Sequence, residues 1–253
     1  MLLSTGCCPS RVDVEDSSVS HGELTASKLL FILARLETEM KSFEELYCEK
    51  DSAMDEIKKW QSASERKITL LPVELEKGKK QLVDLQVTTR STLGAVAFET
   101  GGILIHQGWL RILGSGHPHL PRSITSWNQQ CALNRMLLVA DDVIGGFFAI
   151  NGGMFPDSVG GIWYFAPDSL AWEDLEIGYT DFLHWAMTGD IHTFYETFFW
   201  TDWEKDVSEL KGNEMFAIYP FLWSKEAREL TMDGCSKKPV PALEIWEMSK
   251  NGV

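Results

Sequence analysis

The amino-acid sequence reads as an α+β protein, with a mainly antiparallel sheet of hairpins and with helices both at the N-terminal side and after the sheet. Three observations predict this class. Apolar residues recur at helical spacing between residues 40 and 85, short apolar runs alternate with Gly, Pro and Asp turn signals from about 93 to 178, and the helical period returns beyond 178. Strands that succeed one another so closely favour an antiparallel meander, which needs only tight turns.

Residues 1–39 mix Ser, Gly, Pro and acids with one short helix-like stretch, SKLLFILARLE, and share no pattern with residues 40–253. They are expected to be an N-terminal extension, poorly ordered or a lone helix, ahead of a single α+β domain over 40–253. Phe43, Leu46, Tyr47, Met54, Ile57 and Trp60 predict one or two amphipathic helices with a weak point at Asp51 and Ser52. Pro72 opens a further helix, PVELEKGKKQLVDL, interrupted by Gly78. GAVAFE, a turn at 100–102 and ILIHQGWLRILG predict a first hairpin, and SGHPHLPRSITSWNQQ a loop.

MLLVA and VIGGFFAIN, turning at Asp141 and Asp142, predict a second strand pair, with Gly145 and Gly146 at a bulge or a close backbone approach. GIWYFAP and LAWEDLEIG predict a third pair around Pro167 to Ser169. Beyond Gly178, YTDFLHWAMTG, IHTFYETFFW with Asp190 as cap, and WEKDVSELKG with Asp202 as cap predict helices. NEMFAIYPFLWS reads as a strand, and PALEIWEMSK as a closing helix able to dock on the sheet.

Acids outnumber Lys and Arg 37 to 23, and the imbalance is local. Residues 141–216 hold fifteen acids against only Lys205 and Lys211, whereas the segments on either side are nearly balanced. A field of that sign repels phosphate backbones and anionic lipid, so neither nucleic acid nor membrane is an expected partner, and a basic protein is. The longest apolar run near the N-terminus, Leu29 to Ala34, is far too short to span a bilayer. Five cysteines without a C-x-x-C pair or regular spacing predict reduced thiols and a cytoplasmic location.

His117 and His119 flank Pro118, and residues two apart in extended chain face one side, as a pair of metal ligands must. Two ligands make no site, so neither a metal nor a cofactor is expected. Ser115 lacks the strand and helix of a nucleophile elbow, and the paired glycines form no phosphate loop. The catalytic candidates are His106, His117, His119 and Glu99, grouped around the GSGHPH loop. The binding candidates are Asp141, Asp142, Asp168, Trp172, Glu173, Asp174 and Glu176, acids with an aromatic anchor. Turns and strand edges also attract carboxylates on structural grounds. Trp163, Tyr164, Trp172, Tyr179 and Trp185 fit either a recognition surface or a core.

VTTRSTLGAVAFETGGILIHQGWLRILGSGHP, LLVADDVIGGFFAINGG, IWYFAPDSLAWEDLEIGYTDFLHWAMTGD and AIYPFLWSKE resemble the bacterial domain-of-unknown-function family 2625, over about Met40 to Trp246. MKSFEELY matches the short pattern near which its members begin, which implies Met40 as an alternative start. More distantly, the succession of a Gly-Gly strand, the aromatic strand Ile162 to Phe165, a Trp-Glu segment and TDFLHW is similar to the SUKH superfamily of Smi1/Knr4-like domains. That resemblance implies a non-catalytic fold, many of whose members bind and neutralise toxins. Two functional readings stay open: a protein-binding module with an acidic face, and a hydrolase or metal-dependent enzyme built around the GSGHPH loop.

Overall fold

The computed structural model describes residues 40–251, so the extension 1–39 lies outside the described residues. After Met40 the helical pattern splits at its weak point into α1 (Phe43–Leu46), closed by a reciprocal capping box of Ser42 and Glu45, and α2 (Met54–Ala63). β1 (Ile68–Leu71) comes next, too short to show a period of its own, and then α3 (Leu75–Leu85). GAVAFE is not a strand. It forms α4 (Thr92–Glu99), whose N-cap Ser91 accepts a hydrogen bond from the Gly94 N–H. This helix is buried on nearly every side, so it has no polar face to give the sequence a helical period. α3 crosses it at close range, since a Cβ on Gly78 would lie 2.2 Å from the Phe98 carbonyl oxygen.

The first hairpin lies wholly within ILIHQGWLRIL, as β2 (Gly102–Ile105) and β3 (Leu110–Leu113) joined by a 3₁₀ turn at His106–Gly108. SITSWNQQ, expected as loop, forms α5 (Ile124–Cys131), because the Ser123 and Ser126 hydroxyls each accept the other's backbone N–H. β4 (Met136–Asp142) and β5 (Phe147–Asn151) turn at 143–146, so Asp141 and Asp142 end a strand instead of forming its turn. β6 (Gly161–Ala166) and β7 (Ala171–Gly178) come next, as expected. These seven strands lie in sequence order β1 to β7, every pair antiparallel, which is the meander read from the sequence.

α6 (Tyr179–Thr188), α7 (Ile191–Tyr195) and α8 (Trp203–Glu209) follow the seven-stranded sheet. Asp190 caps α7 by accepting from the Thr193 N–H, but Asp202 takes a left-handed φ of 62° and makes no capping bond. β8 (Glu214–Tyr219) pairs with β9 (Ser236–Pro241), a strand that its two prolines disguise and that only an edge tolerates. α9 (Ala242–Asn251) closes the described chain.

Side chains alternate across the meander, so each strand feeds two cores. Ile103, Ile105, Leu110, Ile112 and Phe148 face one layer with Ile57, Val96, Phe182 and Tyr195. Leu113, Leu138, Phe147 and Phe165 face the other, against Ile124, Trp127, Ile245 and Trp246. No described helix is long and apolar enough to cross a membrane.

Candidate functional site

β4 carries two consecutive aspartates into the middle of this double-layered sheet. Consecutive strand residues point to opposite faces, so each carboxylate enters a different core, and both are fully buried. Asp141 stands directly opposite Arg111 of β3 and accepts from its Nε at 2.6 Å. Arg122 donates to the same carboxylate at 2.8 and 3.1 Å. The two guanidiniums also reach outward, Arg111 Nη1 to the Glu214 carbonyl at 2.7 Å and Arg122 Nη1 to the Gly212 carbonyl at 2.8 Å. They therefore tie the segment leading into β8 down onto the sheet.

Asp142 enters the opposite layer. Its Oδ1 accepts the N–H groups of Ile144 and Gly146 at 3.0 and 2.7 Å, and its Oδ2 accepts the hydroxyls of Tyr164 and Tyr195, each at 3.1 Å. Burial pushes its carboxyl up to about 6, against the lowering effect of these four donors. Burial beside this carboxylate also drives both tyrosines well above their ordinary range. Gly146 is required here, since a Cβ would sit 2.1 Å from Asp142 Oδ2 and 2.5 Å from the Tyr164 hydroxyl. The close approach expected at the paired glycines is thus to side chains, in a turn and not in a strand.

Because Asp141 and Asp142 are consumed inside the fold, they leave the outward acidic set. The other candidates cluster at the far edge of the sheet. Asp168, in the β6–β7 turn, and Glu173 and Glu176 of β7 are exposed, while Asp174 is half-buried. Asp174 accepts from the Ser158 hydroxyl and from the Glu176 N–H. Glu176 sits in a bulge with φ of 57°, where β7 slips against β6. None of the four forms an ion pair with a described residue. β7 ends the sheet, so one side of its backbone has no strand neighbour among the described residues. Trp172 lies half-buried beside them, its ring 5.3 Å from that of Phe165. Of the aromatic stripe, Tyr164 and Tyr179 are core, and Trp163 and Trp185 are half-buried.

The histidines and Glu99 do not converge. Glu99 ends α4 and accepts from the Ser52 hydroxyl, whereas His106 lies beyond the other end of β2, about 13 Å of strand away. His106 packs against Trp203 at 4.7 Å between ring centres, and burial lowers its pKa. His117 and His119 stack on one another at 5.4 Å, with the His117 ring nitrogen accepting the His119 N–H. Among the described residues no three His, Cys, Asp or Glu side chains gather as metal ligands would. Arg111, Arg122 and Tyr195 are the polar groups of the β4 network that sequence reasoning passed over. The available signal was Arg111 itself, a cation inside the apolar run GWLRILG, which demands a buried counter-ion.

The family described as protein of unknown function DUF2625 matches residues 43–245. The chain belongs to this family. It is 45% identical over 213 residues to the putative uncharacterized protein YbfG of Escherichia coli strain K12, covering 83% of this chain and 95% of that protein. It is also 39% identical over 207 residues to an uncharacterized protein of Haemophilus influenzae, covering 79% of this chain and 90% of the other. No solved structure matches the chain.

Proposed function

We propose that this protein is a non-catalytic, cytoplasmic protein-binding module, immunity-like in its action, whose acidic edge docks a basic protein partner. The docking groups are Asp168, Glu173, Asp174 and Glu176, with Trp172 as the aromatic anchor beside them. One observation carries the reading: the acids of this edge lack a cationic partner among the described residues, whereas the equally acidic end of β4 is satisfied internally. Charge and a bulge on an edge strand also discourage pairing with another strand. The partner is therefore engaged through side chains and not by extending the sheet.

Affinity capture from the native source, repeated with Asp168, Glu173, Asp174 and Glu176 all reversed to Lys, tests the proposal. A basic partner should be captured by the wild-type chain and lost from the reversed one, as electrostatic complementarity at a rim requires. Retention of every partner by the reversed chain would refute the assignment of this surface.

A further inference from the structure

The loop over residues 116–121 stands between two cavities, of about 480 and 420 Å³. Neither has an Asp or Glu in its lining, in a chain whose acids outnumber its Lys and Arg 37 to 23. The larger has Lys77, Lys80 and His117 on its wall, but its two lysines and most of its other polar groups are already engaged. Lys77 pairs with Glu74 at 2.8 Å and Lys80 with Asp84 at 2.5 Å, while the Thr125 N–H donates to Gln81 and Ser123 and Ser126 cap one another.

The smaller cavity is lined by Gln107, Arg111, His119, Ser208, Lys211 and Asn213, with apolar contacts from Leu104 and its neighbours. It has what the larger one lacks, a buried guanidinium in its lining, for Arg111 is only 3% exposed. Arg111 donates from Nε to Asp141, from Nη2 to the Asp142 carbonyl and from Nη1 to the Glu214 carbonyl. Each Nη bears two hydrogens, and Nη1 has a single acceptor among the described residues, so one charged N–H is left over. Lys211 spends part of its charge on Glu214 at 3.2 Å, in an exposed pair that water and salt weaken, and the Glu214 side chain is not part of the cavity wall. Gln107, Arg111, His119, Lys211 and Asn213 can each donate a hydrogen bond into the cavity, the Ser208 hydroxyl being spent on the Lys205 carbonyl, and no side chain of the lining is an obligate acceptor. A volume of about 420 Å³ falls within the range of small-molecule sites.

We propose that this cavity is a second, independent binding site, in which Arg111, Lys211 and His119 hold a small molecule by a carboxylate or phosphate group. Arg111 supplies a preoriented buried donor, and the Lys211 ammonium at the rim supplies long-range attraction. The site lies apart from the acidic edge, so either assignment can fail without the other.

Isothermal titration of the full chain with inorganic phosphate, and in a separate arm with citrate, tests the site and tells the two anion chemistries apart. Saturable one-to-one binding is expected for at least one of them. Because loss of Arg111 also strips Asp141 of a partner and endangers folding, the decisive variants are at exposed positions, Lys211→Glu and Asn213→Asp. Each should weaken binding about tenfold or more, as removal or opposition of one charge-assisted contact implies. Lys77→Glu, in the neighbouring cavity, should change affinity by less than about twofold. The proposal is overturned by no saturable heat with either anion up to about 10 mM, a concentration beyond which so weak a contact has no specificity. It is equally overturned if Lys211→Glu and Asn213→Asp bind like wild type, or if Lys77→Glu loses as much as they do.

Discussion

Two acidic dipeptides in the same sheet meet opposite fates: Asp141-Asp142 on β4 is wholly buried, and Glu173-Asp174 on β7 is exposed at the first residue and half-exposed at the second. The difference lies in the strand, not in the residue type. β4 is an inner strand with a core layer on each face, so two neighbours pointing opposite ways are both taken out of water and each must find its own partners. Asp141 finds two arginines, and Asp142 finds two tyrosines and two backbone amides. β7 is the last strand, where solvent reaches the side chains and no ion pair forms among the described residues. A run of acids in sequence is therefore not yet an acidic surface.

The comparison breaks most easily at Asp141. Asp141→Ala leaves two buried guanidiniums sharing no carboxylate and should cost about 3–5 kcal/mol in urea unfolding, where Glu173→Ala should stay within about 0.5 kcal/mol. Equal effects would erase the distinction between the two dipeptides.

Asp142 gives the next largest effect, and its sign is specific. Its carboxyl titrates at about 6 in the fold against an ordinary 3.8, so it binds its proton more tightly when folded. The stability this confers is full below about 3.8 and is lost as pH rises to about 6, on the order of 3 kcal/mol across that window. Asp142→Asn should remove this component. Its unfolding free energy, tracked from pH 3 to 7, should run about 3 kcal/mol less downhill than that of the wild type.

Gly146→Ala forces a methyl against the Asp142 carboxylate and the Tyr164 hydroxyl, and should destabilise by about 1–3 kcal/mol without shifting the stability of the β7 edge. The smallest effects belong to that edge. Single reversals of Asp168, Glu173 or Glu176 should move the unfolding midpoint by no more than the equivalent of about 0.5 kcal/mol.

The elements that sequence reasoning recovered are those with a visible period or a clear turn: α1, α2, α3, the β4–β5 and β6–β7 hairpins, α6, α7, α8, β8 and α9. Those it missed have a common physical cause, because neighbours supply what the local pattern lacks. α4 is enclosed and shows no polar face, α5 starts directly after a proline-punctuated loop, and β1 and β9 are short strands defined by their partners. The exposure of Asp168, Glu173 and Glu176 follows the preference of turns and strand edges for carboxylates, but that β7 is the last strand of the sheet left no mark in the sequence. The pairing of Arg111 and Arg122 with Asp141 was not legible, because counter-ions thirty and nineteen positions away leave no spacing signal.

The most direct test of the acidic edge as a docking surface is the association rate of the wild-type chain with its captured basic partner, measured as ionic strength is raised. Steering by the exposed carboxylates of β7 predicts a rate that falls steeply between about 0.05 and 0.5 M salt while the dissociation rate changes little. A rate indifferent to salt, or one equally steep in the chain with all four edge acids reversed, would contradict it.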